Sequence, residues 1–110
     1  MSAIARLKIV LKDVEPFVMR QVEVPLNLKL DRLHTVIQTA MGWSDSHLYE
    51  FRFAGDVAFG IPDPDHLSNT IDARREPLRG ALEDWGGKTF HYYYDFGDYW
   101  HHVIKIEKVV

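Results

Sequence analysis

Leu7, Ile9 and Leu11 alternate with Lys8, Val10 and Lys12, and a two-residue period gives a strand one apolar face that must be covered. The period changes once, decisively, between Leu30 and Met41. There Leu30, Leu33, Val36, Ile37, Ala40 and Met41 fall on one side of a helix, and Gly42 is placed to end it. One amphipathic helix set among half-apolar strands restricts the chain to helix-on-sheet packing, because a sheet face and a helix stripe each have to bury their apolar side.

The remaining elements follow from the same periods. A turn at 13–17 containing Pro16 leads into a second strand in which Val18, Val22 and Val24 share one parity. Arg20 falls on that same face, and a charge pointing inward needs a partner or a mouth open to water. Tyr49, Phe51 and Phe53 alternate with Glu50 and Arg52 in a third strand, and a short fourth runs near Val57 to Phe59. From Gly60 to Glu76 the pattern fails around Pro62, Pro64 and Asn69, which reads as a long irregular excursion. Pro77 to Trp85 predicts a short helix with Leu78, Ala81 and Leu82 inward, stopped by Gly86 and Gly87. Two last strands run from about Thr89 to Phe96 and from Trp100 to Val109. The expected fold is α+β, a mixed β-sheet covered by one main helix, with a β-grasp-like ββαββ(α)ββ order in a single domain over residues 1–110.

Composition narrows the function classes. A chain of 110 residues is long enough for one core and too short for an added nucleotide-binding or catalytic domain. The net charge of −3 and pI near 6.0 provide no overall attraction to phosphate backbones or anionic lipid. The absence of cysteine removes disulfides, thiolate metal sites and cysteine nucleophiles, and fits a reducing compartment. No window approaches the roughly 18 apolar residues of a membrane span, so the expected location is the cytoplasm, with no membrane partner and no cofactor.

Candidate chemistry concentrates at Asp95-Phe96-Gly97-Asp98-Tyr99-Trp100-His101-His102. If Gly97 and Asp98 form a two-residue hairpin turn, Asp95 lies opposite Trp100 and diagonal to His102. Trp100, His102, Ile104 and Ile106 would then share an apolar face, where His102 needs an acceptor and Asp95 is the nearest one. Trp43, His47, Glu50 and Arg20 are further members of a polar and aromatic surface built from the 42–50 segment and the 95–102 hairpin. Two readings of this set are open. One is a structural network locking the hairpin to the sheet. The other is a divalent-metal site using His47, Asp95, Asp98 and His102, since neutral imidazole and carboxylate suit such ions, with Glu50 as general base and Arg20 orienting an anionic substrate.

Other motifs fail on context. Asp95-Phe96-Gly97 matches a kinase metal-binding triplet without the glycine-rich and catalytic loops that give it meaning. No nucleophile elbow surrounds Ser44, Ser46 or Ser68, which read as turn serines. A glycosidase pairing of Glu50 with Asp95 would need a large cleft. His91-Tyr92-Tyr93-Tyr94 could stack bases, but basic residues are not interleaved along that strand, so single-stranded nucleic acid is an unfavoured partner. His34 reads as a histidine at the edge of the helix's core face.

Leu33-His34-Thr35-Val36-Ile37-Gln38 leading to Met41-Gly42-Trp43, then Ser46-His47-Leu48-Tyr49-Glu50-Phe51, then Tyr94 to Trp100 with His102, resemble the plasmid pRiA4b ORF-three-like family, also labelled an insertion-element passenger protein. The resemblance runs over nearly the whole chain. It implies an α+β domain associated with mobile elements and no established activity. The family often carries Trp-Arg-Arg in its second strand, where this chain reads Met19-Arg20-Gln21, so a site requiring two arginines is not implied. The length leaves no room for a serine-recombinase domain with a helix-turn-helix. The expected function is a binding or accessory module for an unknown protein or small ligand; a small metal-dependent hydrolase-like enzyme and a single-stranded nucleic-acid binder are the alternatives.

Overall fold

The computed structural model describes residues 3–65 and 69–110; Ser68 lies outside them. Seven strands form one mixed sheet: β1 (Ile4–Leu11), β2 (Val18–Pro25), β3 (Tyr49–Phe53), β4 (Val57–Gly60), β5 (Ile71–Asp72), β6 (Thr89–Tyr94) and β7 (Trp100–Val109). Their order is β2-β1-β7-β6-β3-β4-β5, antiparallel except for the parallel pairing of β4 with β5. Helices α1 (Leu30–Met41) and α2 (Leu78–Trp85) complete an α+β fold.

Strand parity separates the two faces. Leu7 and Ile9 of β1, Ile104 of β7, Phe90 and Tyr92 of β6, Phe51 of β3 and Phe59 of β4 are fully buried together with Leu30, Leu33 and Ile37 of α1 and Leu78 and Ala81 of α2. At about 25 cal/mol per Å² of apolar surface removed from water, these large side chains supply most of the driving force. Aromatic rings dominate the centre: Phe53 stacks on Phe90 at 4.7 Å, and Phe51 lies 4.8 Å from Tyr92.

The end of α1 matters most for the site. Gly42 takes φ 76°, its amide donates to Thr39 O, and the Trp43 amide donates to Gln38 O. This is a Schellman motif, which uses glycine because its left-handed backbone penalises a Cβ. Arg20 reaches the same helix end: its Nε donates to Ala40 O at 3.0 Å, while Nη1 donates to Met19 O. The guanidinium thereby satisfies a terminal carbonyl and complements the negative end of the helix dipole while staying exposed. The inward parity of Arg20 is met by an open mouth and not by a carboxylate.

Two regions depart from the sequence expectation. The 60–76 stretch contains β5 and a 3₁₀ turn, Ala73–Arg75, with Ala73 fully buried and Asp72 accepting from the Arg74 amide at 3.0 Å. The terminal hairpin has no two-residue turn. Tyr94 pairs with Trp100 and Tyr92 with His102, leaving residues 95–99 as a five-residue loop in which Asp95 and Tyr99 both adopt positive φ. The loop is closed by the Tyr99 amide donating to Asp95 O, by the Asp95 amide donating to Leu48 O at 2.9 Å, and by the Gly97 amide donating to Asp95 Oδ1 at 3.1 Å.

Candidate functional site: an acidic cleft over a buried histidine

Four polar side chains meet under the 42–50 segment. His34 and Gln38, one turn apart on α1, both face the sheet and are buried. The imidazole lies flat on Tyr49 of β3, with centroids 3.7 Å apart and planes 7° from parallel. Its Nδ1 is 2.6 Å from the Tyr92 hydroxyl and its Nε2 is 2.6 Å from Asp45 Oδ1. Gln38 donates Nε2–H to the Tyr92 hydroxyl at 2.9 Å and accepts the Asp45 amide on Oε1 at 2.9 Å.

These contacts set the direction of every hydrogen bond. Because Gln38 Oε1 faces an N–H, its amide nitrogen faces Tyr92. Burial pushes the His34 pKa down, with Asp45 and then Asp31 opposing it, so the ring is neutral at physiological pH. Tyr92 then donates O–H to Nδ1, and the Nε2–H donates to Asp45. The Tyr92 hydroxyl itself is pushed far above its usual range, chiefly by burial, which keeps its proton in place. Both ring nitrogens of His34 are thus engaged, and neither offers a free lone pair to a substrate.

Above the network opens a cleft of about 550 Å³ lined by Asp31, His34, Asp45, Tyr49, Asp72 and Arg74, among others. Arg74 is held by Asp72, with Nη2 to Oδ2 at 2.9 Å, so the balance of Asp31 and Asp45 leaves the cleft acidic. Tyr49 is only 6 % exposed, and its hydroxyl has no hydrogen-bond partner among the described residues. Burial, followed by Asp31, Asp45 and Asp72, pushes its pKa up to about 12, which leaves an O–H free to donate. Tyr49 also lines an adjoining, mostly apolar groove of about 350 Å³ with Leu48, Ile61, Pro62, Pro64 and Phe96, bordered by Glu50 and Asp63. A third concavity, about 290 Å³, lies between the 42–47 turn and Tyr94, Asp95 and Trp100. Segment 42–50 therefore contributes to all three.

The residues singled out by sequence are dispersed around these hollows. Trp43 stacks on Tyr94 at 5.0 Å and meets the edge of His102 at 5.2 Å, with Trp100 6.2 Å away. His47 and Asp95 come together, Nε2 to Oδ2 at 3.7 Å, on the exposed rim. Asp95 and His102 do not pair: the five-residue loop carries Asp95 beyond the ladder, while His102 is fully buried with Nδ1–H donating to Tyr92 O at 3.1 Å. Its Nε2 is buried without a hydrogen-bond partner. Glu50 lies on the opposite sheet face, held by Arg52 Nε at 2.5 Å, and Asp98 is exposed in the loop. Among the described residues no three His, Asp or Glu side chains gather into a metal-holding group, because sheet parity and the loop send His47, Glu50 and His102 in three directions. Their joint role as a metal or catalytic set is an expectation that the geometry does not assemble.

The members that sequence reading passed over are Gln38, Asp45, Tyr49 and Tyr92, with His34 assigned only to the core edge. Their signal was present: two polar residues four apart on the apolar face of a helix each require a buried partner. What the sequence lacked was the register that places Tyr92 beneath them.

Comparison with known proteins agrees with the fold. The Plasmid pRiA4b ORF-3-like protein family matches residues 3–110. The chain is 55% identical over 107 residues to the uncharacterized protein y4hQ of Sinorhizobium fredii (strain NBRC 101917 / NGR234), covering 97% of this chain and 55% of the relative. It is also similar to the crystal structure of MM3350, a protein of unknown function from Methanosarcina mazei Go1, with a TM-score of 0.87 and 29% identity over 100% of this chain and 62% of that one. The chain thus spans little more than half the length of the relatives it matches. No helix among the described residues is long and apolar enough to cross a membrane.

Proposed function

The chain belongs to the plasmid pRiA4b ORF-3-like family, and we propose that it acts there as a binding module, without turnover, for a ligand that carries a positive charge next to an apolar group. The observation that carries this reading is the continuity of the acidic cleft with the apolar groove across the Tyr49 ring. A cation entering beside Asp31 and Asp45 is favoured electrostatically in a partly desolvated cleft, and an apolar substituent then reaches Ile61 and Phe96. The free Tyr49 O–H gives direction to the polar end. Turnover is disfavoured because the one imidazole in the cleft has both nitrogens committed. The family's name, taken from a plasmid reading frame, supports an accessory role on mobile elements.

Phenethylamine, a small apolar cation, tests the reading by NMR titration of the amide resonances. Shifts localised to Asp31, Asp45, Tyr49 and Ile61, and weakened about tenfold by Asp31→Asn, are expected. Shifts that are absent, or that are unchanged in Asp31→Asn, would refute it.

A further inference from the structure

The face of the sheet opposite the helices has a different chemistry. Lys8 of β1 lies directly across from Lys105 of β7, with the Val10–Val103 pair next along, and Lys12 continues the row, its amide bonded to His101 O. Lys8, Lys12 and Lys105 ring a shallow depression of about 240 Å³ with Val10, Val103 and Thr89. Like charges placed directly opposite across two strands repel. Of the carboxylates here Glu23 is paired with Arg6 at 3.1 Å and Glu50 with Arg52, whereas Glu107 is bonded only to the neutral Gln21 amide at 2.6 Å and Asp13 acts on His101 at the Lys12 end. Among the described residues none of the three lysines makes an ion pair. Three lysines set against Glu107 and Asp13 thus leave a locally positive patch on a chain whose net charge is −3.

Beside the lysines runs a column of rings. Tyr99 stacks on Tyr93 at 4.7 Å, Tyr93 on His101 at 4.6 Å, and His101 meets His91 at 5.1 Å, where Nδ1 of His91 and Nε2 of His101 share a proton at 2.9 Å. Arg52 sits 6.0 Å over the Tyr93 ring. None of these residues is buried, and the end of the column is the most open: Tyr99 is 47 % exposed, with Phe96, 46 % exposed, 6.4 Å away. Basic residues are not interleaved with aromatics along β6, yet the β1-β7-β6 register interleaves them across strands.

We infer that this open face binds single-stranded nucleic acid, with Lys8, Lys12 and Lys105 on phosphates and a base continuing the ring column at Tyr99. The pairing of a lysine row with stackable rings matches the two parts of a sequence-tolerant single-strand site, a positive track for the backbone and π-faces for the bases. An acidic protein would satisfy the lysines and leave the rings unexplained. The lysines and Tyr99 lie on the opposite face from the cleft and take no part in the phenethylamine reading, so the two are tested separately although Phe96 borders both.

Fluorescence anisotropy of the whole chain with a labelled oligothymidylate of about 12 nucleotides measures it directly. Three phosphate contacts predict a log–log salt slope of about −2, or roughly 20-fold weaker binding on going from about 50 to about 200 mM salt. Joint replacement Lys8→Gln and Lys105→Gln should flatten the slope toward about −0.7. Tyr99→Ala should weaken binding about tenfold and leave the slope unchanged. Arg79→Ala, on α2, should change neither, and circular dichroism of each variant confirms folding. The inference is overturned by no binding at low salt, by a slope indifferent to the lysine pair, or by polyglutamate competing fully with no dependence on Tyr99, which would mark an acidic protein as the partner. It is equally overturned by a concentration-dependent dimer abolished by the lysine replacements, which would mark a second copy.

Discussion

His102 makes the most exposed test of the core. Its ring is fully buried between Trp43 and Tyr92, donates one N–H to a backbone carbonyl and has a bare second nitrogen. Burial pushes its pKa down from 6.5 to about 4, against weaker pulls from the Tyr92 and Trp100 backbones. A folded-state value below the unfolded one means that the contribution is intact above 6.5 and is lost as pH falls from 6.5 toward 4, because the unfolded chain takes up a proton that the buried ring refuses. At 1.36 kcal/mol per tenfold change in proton affinity, the full loss is about 3 kcal/mol, of which about 2.5 kcal/mol has gone by about pH 4.5.

His102→Leu isolates this effect. The change removes one hydrogen bond, worth about 1 kcal/mol, and also a buried, unsatisfied nitrogen of comparable cost, so stability near neutrality should move by less than about 1 kcal/mol. At about pH 4.5 the variant should be more stable than the parent by about 2 kcal/mol. His34 and His101, whose pKa values are also lowered chiefly by burial, titrate in both proteins and cancel in the difference. Urea midpoints between about pH 8 and about pH 4.5, read by tryptophan fluorescence, give the comparison. Parallel pH profiles for the two proteins, or an NMR titration placing His102 near 6.5, would refute the burial argument.

Other perturbations follow from the same geometry. Tyr92→Phe preserves the ring but strands His34 Nδ1 and the Gln38 amide, so it should cost about 1–3 kcal/mol by urea denaturation. Asp95→Asn should be neutral within about 0.5 kcal/mol, since asparagine tolerates the positive φ and keeps an oxygen for the Gly97 amide; a loss above about 1 kcal/mol would show that the negative charge itself holds the loop. Gly60→Ala places a Cβ 2.6 Å from the Tyr49 carbonyl, and should lower stability by about 1–3 kcal/mol while disturbing the cleft, as thermal unfolding and the Tyr49 amide resonance would report.

The helix and its glycine stop were legible because a 3.6-residue period needs only one segment to declare itself, and the parity of Trp100, His102, Ile104 and Ile106 was legible because β7 is long enough to repeat. The loop between β6 and β7 was not. Gly97 and Asp98 carry the composition of a tight turn, while the positive φ positions fall on Asp95 and Tyr99, and a tyrosine in that conformation is not signalled by its identity. Widening the turn from two residues to five shifted the register by one, which removed Asp95 from His102 and left it to His47. The His34 network depended on the register of β3 with β6 and on the placement of α1 across both, neither of which a local period encodes.

Charge shows the same limit in a way that bears on function. A net charge of −3 is the sum of two unlike surfaces. The helix side gathers Asp31, Asp45 and Asp72 against Arg74, and the open side gathers Lys8, Lys12 and Lys105, which outnumber the carboxylates beside them that no cation holds, Glu107 and Asp13. Over a separation set by the thickness of a sheet and its side chains, comparable to the Debye length of about 8 Å at physiological salt, each surface presents its own field to an approaching partner. The whole-chain charge therefore argues against phosphate binding only for a protein whose charges are mixed, and alternation along β1 and β7 unmixes them: residues one apart in sequence face opposite ways. Lys8 and Lys105 meet because they share a parity and a register, and the acidic cleft lies on the other side of the same sheet, toward its β3-β4-β5 end.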